Sequence, residues 1–98
     1  MTIEKKVNGN ELTLALSGRL DTITAPQLET EVKENIDGVE CLVFDFAALD
    51  YLSSAGLRVL LTAQKIMNKQ GSMVVRNINE TIAEIFEVTG FCDILTIE

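Results

Sequence analysis

The sequence predicts an α/β sandwich formed by one domain over residues 1–98, a mixed β-sheet with an N-terminal hairpin and three or more helices in the order ββαβαβα(β). Three observations carry this expectation. Two segments of strand character flank Asn8-Gly9-Asn10, and Asn-Gly supplies the positive-φ residues of a tight hairpin turn. Beyond residue 20, short apolar runs of strand length alternate with longer segments of helical period. Strands joined through helices run parallel by right-handed crossovers, whereas the opening hairpin is antiparallel. A mixed sheet with helices packed over it follows.

Thr2 to Val7 is the first strand and Glu11 to Ser17 the second, in which Leu12, Leu14 and Leu16 alternate with Thr13, Ala15 and Ser17. Gly18-Arg19-Leu20-Asp21 leads to Thr24-Ala25-Pro26-Gln27, which has the capping-box spacing and a proline in the first helical turn. Leu28, Val32 and Ile36 form the apolar stripe of that helix, and Asp37-Gly38 ends it. Cys41 to Phe46 is nearly continuously apolar, the pattern of a strand covered on both faces, and a short linker joins it to a pair of serines. A helix follows from about Ser54 to Lys69, stopping at Gln70-Gly71. Met73-Val74-Val75 is a further buried strand. Asn79 caps a third helix carrying Ile82, Ile85 and Phe86, Gly90 terminates it, and Ile94 to Ile97 is a last short strand.

Composition narrows the function. A 98-residue chain with 47% hydrophobic and 23% charged residues is large enough for a core without metal or disulfide support. The formal net charge of −7 argues against nucleic acid or an anionic membrane as the main partner. No apolar run approaches the roughly 20 residues of a membrane span, and the first residues lack the apolar stretch of a signal peptide, so a cytoplasmic location is expected. Cys41 and Cys92 form no CxxC pair and read as reduced core residues. The chain contains no histidine, which removes Ser-His and Cys-His nucleophiles and the commonest transition-metal ligand; neither an enzyme nor a cofactor-dependent protein is expected.

The serine pair is the most informative feature. One serine suffices as a helix N-cap, where its oxygen accepts a bond from a free backbone N–H of the first turn. Counting from Ser54, residues Arg58, Thr62, Lys65 and Lys69 fall at steps of three or four and make a polar stripe. Counting from Ser53, Leu57, Leu60 and Leu61 make an apolar face. Ser53 therefore reads as the cap and Ser54 as a hydroxyl held at the surface. Arg58, one turn on, is placed to touch a phosphate or a partner carboxylate, or to be a lone surface charge. Lys65 and Lys69 read as a solvated face. Gly56 keeps the helix start slim enough for close approach of a neighbouring backbone or partner.

Three segments resemble the STAS domain of bacterial anti-sigma factor antagonists. Gly18-Arg19-Leu20-Asp21 resembles the family's Gly-x-Leu-Asp before the first helix. Tyr51-Leu52-Ser53-Ser54-Ala55-Gly56-Leu57 resembles its signature of an aromatic, an apolar residue, Asp, Ser, Ser or Thr, Gly and Leu. Val88-Thr89-Gly90-Phe91 resembles the turn before its last strand. The match runs in order along essentially the whole chain. It implies a switch in which the unphosphorylated protein binds an anti-sigma factor serine kinase, freeing a sigma factor. Phosphorylation at Ser54 would turn this off, and a serine phosphatase would reset it. The family's frequent Asp is Ser53 here, which makes Ser53 the second choice of acceptor and removes a fixed negative charge beside Ser54. Asp21, Ser53, Ser54, Gly56 and Arg58 are the expected partner-binding residues, with no metal site. The alternative is a constitutive STAS scaffold or accessory subunit of a transport complex that is never phosphorylated. A response-regulator receiver using Asp21, Asp45 and Asp50 fits poorly, because Asn8-Gly9 follows the first strand and no lysine lies beyond Lys69. Asp21 instead reads as pinning the turn before the first helix, and Asp45 as bonding locally at its strand end.

Overall fold

The computed structural model describes all residues, Met1–Glu98. The elements are β1 (Thr2–Asn8), β2 (Glu11–Leu20), α1 (Ala25–Asn35), β3 (Cys41–Leu52), α2 (Ser54–Gln70), β4 (Ser72–Arg76), α3 (Glu80–Thr89), a 3₁₀ turn (Phe91–Asp93) and β5 (Thr96–Ile97). They form one five-stranded sheet in spatial order β1-β2-β3-β4-β5. The β1/β2 hairpin is antiparallel and every later pairing is parallel, as expected. Each helical crossover steps one strand in the same direction, so right-handed connections bring the three helices to one face. The alternation of β2 explains the result: Leu12, Leu14 and Leu16 are buried under the helices, while Thr13, Ala15 and Ser17 lie half-buried on the other face. Leu28, Val32 and Ile36 of the first crossover, Leu57, Leu60, Ala63 and Met67 of α2, and Ile82 and Phe86 of α3 close over Phe44 and Phe46 in a single core.

Four local expectations are corrected. The hairpin turn is Gly9-Asn10, with Asn8 paired to Glu11, and only Gly9 has positive φ (61°). Glycine at the first central position is the requirement of a II′ turn, so one residue supplies what two were expected to share. Second, β3 does not stop at Phe46 but continues to Leu52 beside β2. The pairing offset grows from Glu11↔Cys41 to Leu20↔Leu52 through two irregularities, so β3 carries two extra residues, the signature of bulges. Each bulge breaks the two-residue period, which is why buried Phe46, Leu49 and Leu52 are spaced by three and look unlike a strand in sequence. Asp45 thus sits mid-strand, where its Oδ1 accepts from the Ala47 N–H at the first bulge (3.0 Å) and from Asn77 Nδ2 (3.0 Å). Third, the capping box at Thr24 does not form: Thr24 has helical dihedrals, and its hydroxyl donates back to the Arg19 carbonyl (2.8 Å) and accepts from the Asp21 N–H (2.9 Å). Fourth, Cys41 is half-buried and Cys92 exposed, both free, so neither belongs to the core.

Candidate functional site

The longer β3 is what places the serines. Its last residue pairs with Leu20, and the Ser53 N–H donates to the Leu20 carbonyl (2.9 Å), extending the parallel ladder by one bond. The start of α2 is thereby held against the β2–α1 loop, bringing Asp21, Ser53 and Ser54 to one end of the sheet.

Ser53 has extended dihedrals (φ −94°, ψ 173°), and its Oγ accepts from the Gly56 N–H at 3.4 Å. That is the N-cap geometry. Its carbonyl accepts from the Leu57 N–H (3.0 Å), the first helical bond of α2. Ser54 is the first helical residue and is exposed. Two adjacent serines thus have different environments, one committed to the backbone and one facing solvent. Arg58, Thr62, Lys65 and Lys69 are exposed along the same side of α2, whereas Leu57 and Leu60 are buried. Leu61 lies only half-buried, because its helical angle falls nearer the polar stripe than the core.

Gly56 takes a different position from the one expected of a contact residue. It is buried, and a Cβ built on it would lie 2.7 Å from Leu20 Cγ and 2.8 Å from Leu52 Cδ1. Its missing side chain lets α2 pack down on the β2 and β3 ends; it faces the core and offers no surface to a partner.

Asp21 organises the loop opposite Ser53. Its Oδ1 accepts from the backbone N–H groups of Ile23 (3.0 Å) and Thr24 (3.1 Å), and its Oδ2 lies 3.8 Å from Arg19 Nε. The bond from the Thr24 N–H is the main cause that lowers the Asp21 carboxyl below 3.8; the Thr24 hydroxyl, the Ile23 N–H and Arg19 add to it, against a desolvation cost. Asp45 is lowered as well, first by Asn77 and then by the Ala47 N–H. Asp50 is exposed. The three aspartates make no metal cluster, and no group of three metal-ligating side chains occurs in the chain.

Sequence reading missed two features of this end. Arg19 and Tyr51 are cross-strand partners, with the guanidinium 4.2 Å from the ring centroid, a cation–π contact. The signal was there in the chain's one tyrosine standing in the serine segment, but without the bulges the register could not be counted. Ile23, at the tip of the Asp21 loop, is 87% exposed, an apolar side chain held outward because Asp21 and Thr24 tie down the backbone on either side of it. A groove of about 300 Å³ runs between α1 and α2 beside Ser54, lined by Thr22, Pro26, Ala55, Arg58 and Thr62 among others.

The chain belongs to the STAS domain family, whose model matches residues 2–98, and within it to the anti-sigma factor antagonists. Among its relatives is BtrV of Bordetella bronchiseptica, provisionally named an anti-sigma factor antagonist, 38% identical over 94 residues that cover 94% of this chain and 80% of BtrV. Two solved structures share the fold. An anti-sigma factor antagonist from Mycobacterium paratuberculosis superposes with a TM-score of 0.89 at 24% identity, covering 98% of this chain and 83% of that one. The Bacillus cell fate determinant SpoIIAA in its phosphorylated form gives 0.78 at 18% identity, covering 99% and 91%. No helix is long and apolar enough to cross a membrane.

Proposed function

We propose that this protein is a phosphorylation-controlled, non-enzymatic switch that acts in the cytoplasm, with Ser54 as the acceptor. Unphosphorylated, it docks the end of the sheet formed by Asp21, Ser53, Ser54 and Arg58 onto an anti-sigma factor serine kinase and so frees a sigma factor; phosphate on Ser54 ends the contact, and a serine phosphatase restores it. The observation that carries this reading is the division of labour between the two serines. Ser53 Oγ is committed to the Gly56 N–H, while Ser54 is exposed in the first turn of α2. The relationship to anti-sigma factor antagonists, and the phosphorylated form in which SpoIIAA is known, support it.

The energetics fit a switch at an interface rather than in the fold. A phosphoserine carries about −1.5 to −2 charges at pH 7. In the first turn of a helix negative charge is favourable by ~0.3–1 kcal/mol, and α2 has no acidic residue there to compete. Phosphorylation therefore leaves the domain folded. Across an interface, like charges or a desolvated phosphate cost several kcal/mol, and each 1.4 kcal/mol is about tenfold in affinity. Calorimetric titration of wild type and Ser54→Asp against a candidate anti-sigma kinase, with thermal melts alongside, tests the reading. Affinity should fall at least about tenfold while the melting temperature holds or rises slightly. Equal affinities would remove charge at Ser54 as the means of release and favour the constitutive scaffold.

A further inference from the structure

The helix that begins at Ser54 has an unusual charge for this chain. The protein carries 15 acidic and 8 basic residues, yet α2, from Ser54 to Gln70, contains no acidic residue and three basic ones, Arg58, Lys65 and Lys69. At 100° per residue, Ser54, Arg58, Thr62, Lys65 and Lys69 fall within about 80° of one another, a single narrow stripe along the axis. All five are exposed. The basic groups are also free of internal carboxylate partners. The three ion pairs of the protein use Arg19, Lys33 and Arg76. Glu29 of α1 shares the groove beside Arg58, but its carboxylate is 3.2 Å from Lys33. A second groove, of about 380 Å³, follows Lys65, Ile66 and Lys69 and meets the first at Thr62, so the stripe is flanked by concave surface along its length.

We infer that the exposed side of α2 is a docking track for an acidic protein segment, such as a helix with carboxylates on one face, and that it works in series with the serine at its head. The chemistry favours a protein over a polyanion. Three cations on one helix width match the footprint of an acidic helix, whereas a duplex or an anionic membrane extends past the stripe onto a chain of net charge −7. At 1.5 Å per residue, Arg58 lies about 6 Å along the axis from Ser54, Lys65 about 16 Å and Lys69 about 22 Å. The screening length is about 10 Å at 0.1 M salt. A phosphate on Ser54 therefore acts on Arg58, while salt screens most of its effect on Lys65 and Lys69. The head of the helix reports modification; the tail keeps its attraction for an acidic surface in either state. This explains why Lys65 and Lys69 are more than the solvated face their spacing suggests. The inference rests on the reading of Ser54 as the switch only for the phosphate's effect on Arg58.

The test uses the intact protein and no kinase. A Glu-rich helical peptide of about 20 residues, roughly 30 Å long, is titrated into isotopically labelled protein at low and high salt while backbone amide shifts are followed. Three proteins are compared: wild type, the Lys65→Glu/Lys69→Glu double variant, and a Lys5→Glu/Lys6→Glu double variant with the same change in net charge on β1. The inference expects shifts centred on Arg58 to Lys69, with affinity at least about fivefold weaker for the α2 double variant than for the β1 variant. The effect should vanish at high salt. Equal weakening by the two double variants would overturn it, because net charge alone would then explain binding. Shifts elsewhere, tighter binding by duplex DNA or phosphatidylglycerol vesicles run in parallel, or self-association through the acidic α3 of a second copy would overturn it too. Because no phosphate transfer is measured, this result and the assignment of Ser54 stand or fall separately.

Discussion

The starts of α2 and α3 use the same local device and put it to different ends. In both, a residue with extended dihedrals places a side-chain oxygen over the first turn: Ser53 accepts from the Gly56 N–H at 3.4 Å, and Asn79 accepts from the Ile82 N–H at 2.9 Å. Asn79 then spends its other end as well, donating through Nδ2 to the Leu49 carbonyl (3.0 Å). That bond stitches α3 to β3 at its second bulge, and Glu80 already occupies the first turn with negative charge. The start of α3 is electrostatically complete. Ser53 Oγ makes only the one bond, that bond is longer, and the first turn of α2 contains no acid. A cap that closes a helix start leaves nothing to regulate. One that leaves the next hydroxyl exposed and the dipole unanswered is open to an added charge.

Packing beneath the α2 start is where the comparison breaks most easily. Gly56→Val forces a branched side chain to within 3 Å of Leu20 and Leu52. Overpacking of this kind should cost about 2–3 kcal/mol, read as a lower melting temperature and a lower urea midpoint. Replacing the α3 cap comes next. Asn79→Ala removes the bond to Ile82 and strands the Leu49 carbonyl, and should cost about 2 kcal/mol in the same melts. Ser53→Ala should cost less, about 0.5–1 kcal/mol, because its single bond is long. If Ser53→Ala proves the more damaging of the two, the contrast between a closed and an open helix start is wrong.

A smaller effect sharpens the account of the loop and the bulge. The hydrogen bonds to Asp21 and Asp45 hold both carboxyls below the ordinary aspartate value, about 3.9 in an unfolded chain. Where the folded value is the lower one, the contribution to stability is complete above the unfolded value and is lost as pH falls through the folded one. Melting temperature should therefore be flat in this respect above about pH 5 and fall below pH 4. In Asp45→Asn, which keeps an acceptor toward Ala47 and Asn77, part of that acid sensitivity should disappear.

Much of this architecture is legible in the residues because local and global signals agree there. The alternation of Leu12, Leu14 and Leu16, the Asn79 and Gly90 helix limits, and the serine cap all follow from rules acting over three or four residues. What was not legible depends on pairing across the sheet. The continuation of β3 to Leu52 is hidden because two bulges change its period. Thr24 and Gln27 have the spacing of a capping box, yet Asp21 holds the loop so that the Thr24 hydroxyl points to Arg19, and the tertiary contact wins. Gly56 looks like a surface residue of a recognition segment until Leu20 is known to lie against it. The Arg19–Tyr51 contact needs the same register.

The most direct test of the central claim is site-resolved mass spectrometry after incubation with an anti-sigma factor serine kinase and ATP, comparing wild type, Ser53→Ala and Ser54→Ala. One phosphate is expected on wild type, located at Ser54, the same phosphate on Ser53→Ala, and none on Ser54→Ala. Phosphate on Ser53 in wild type, or undiminished incorporation into Ser54→Ala, would contradict it.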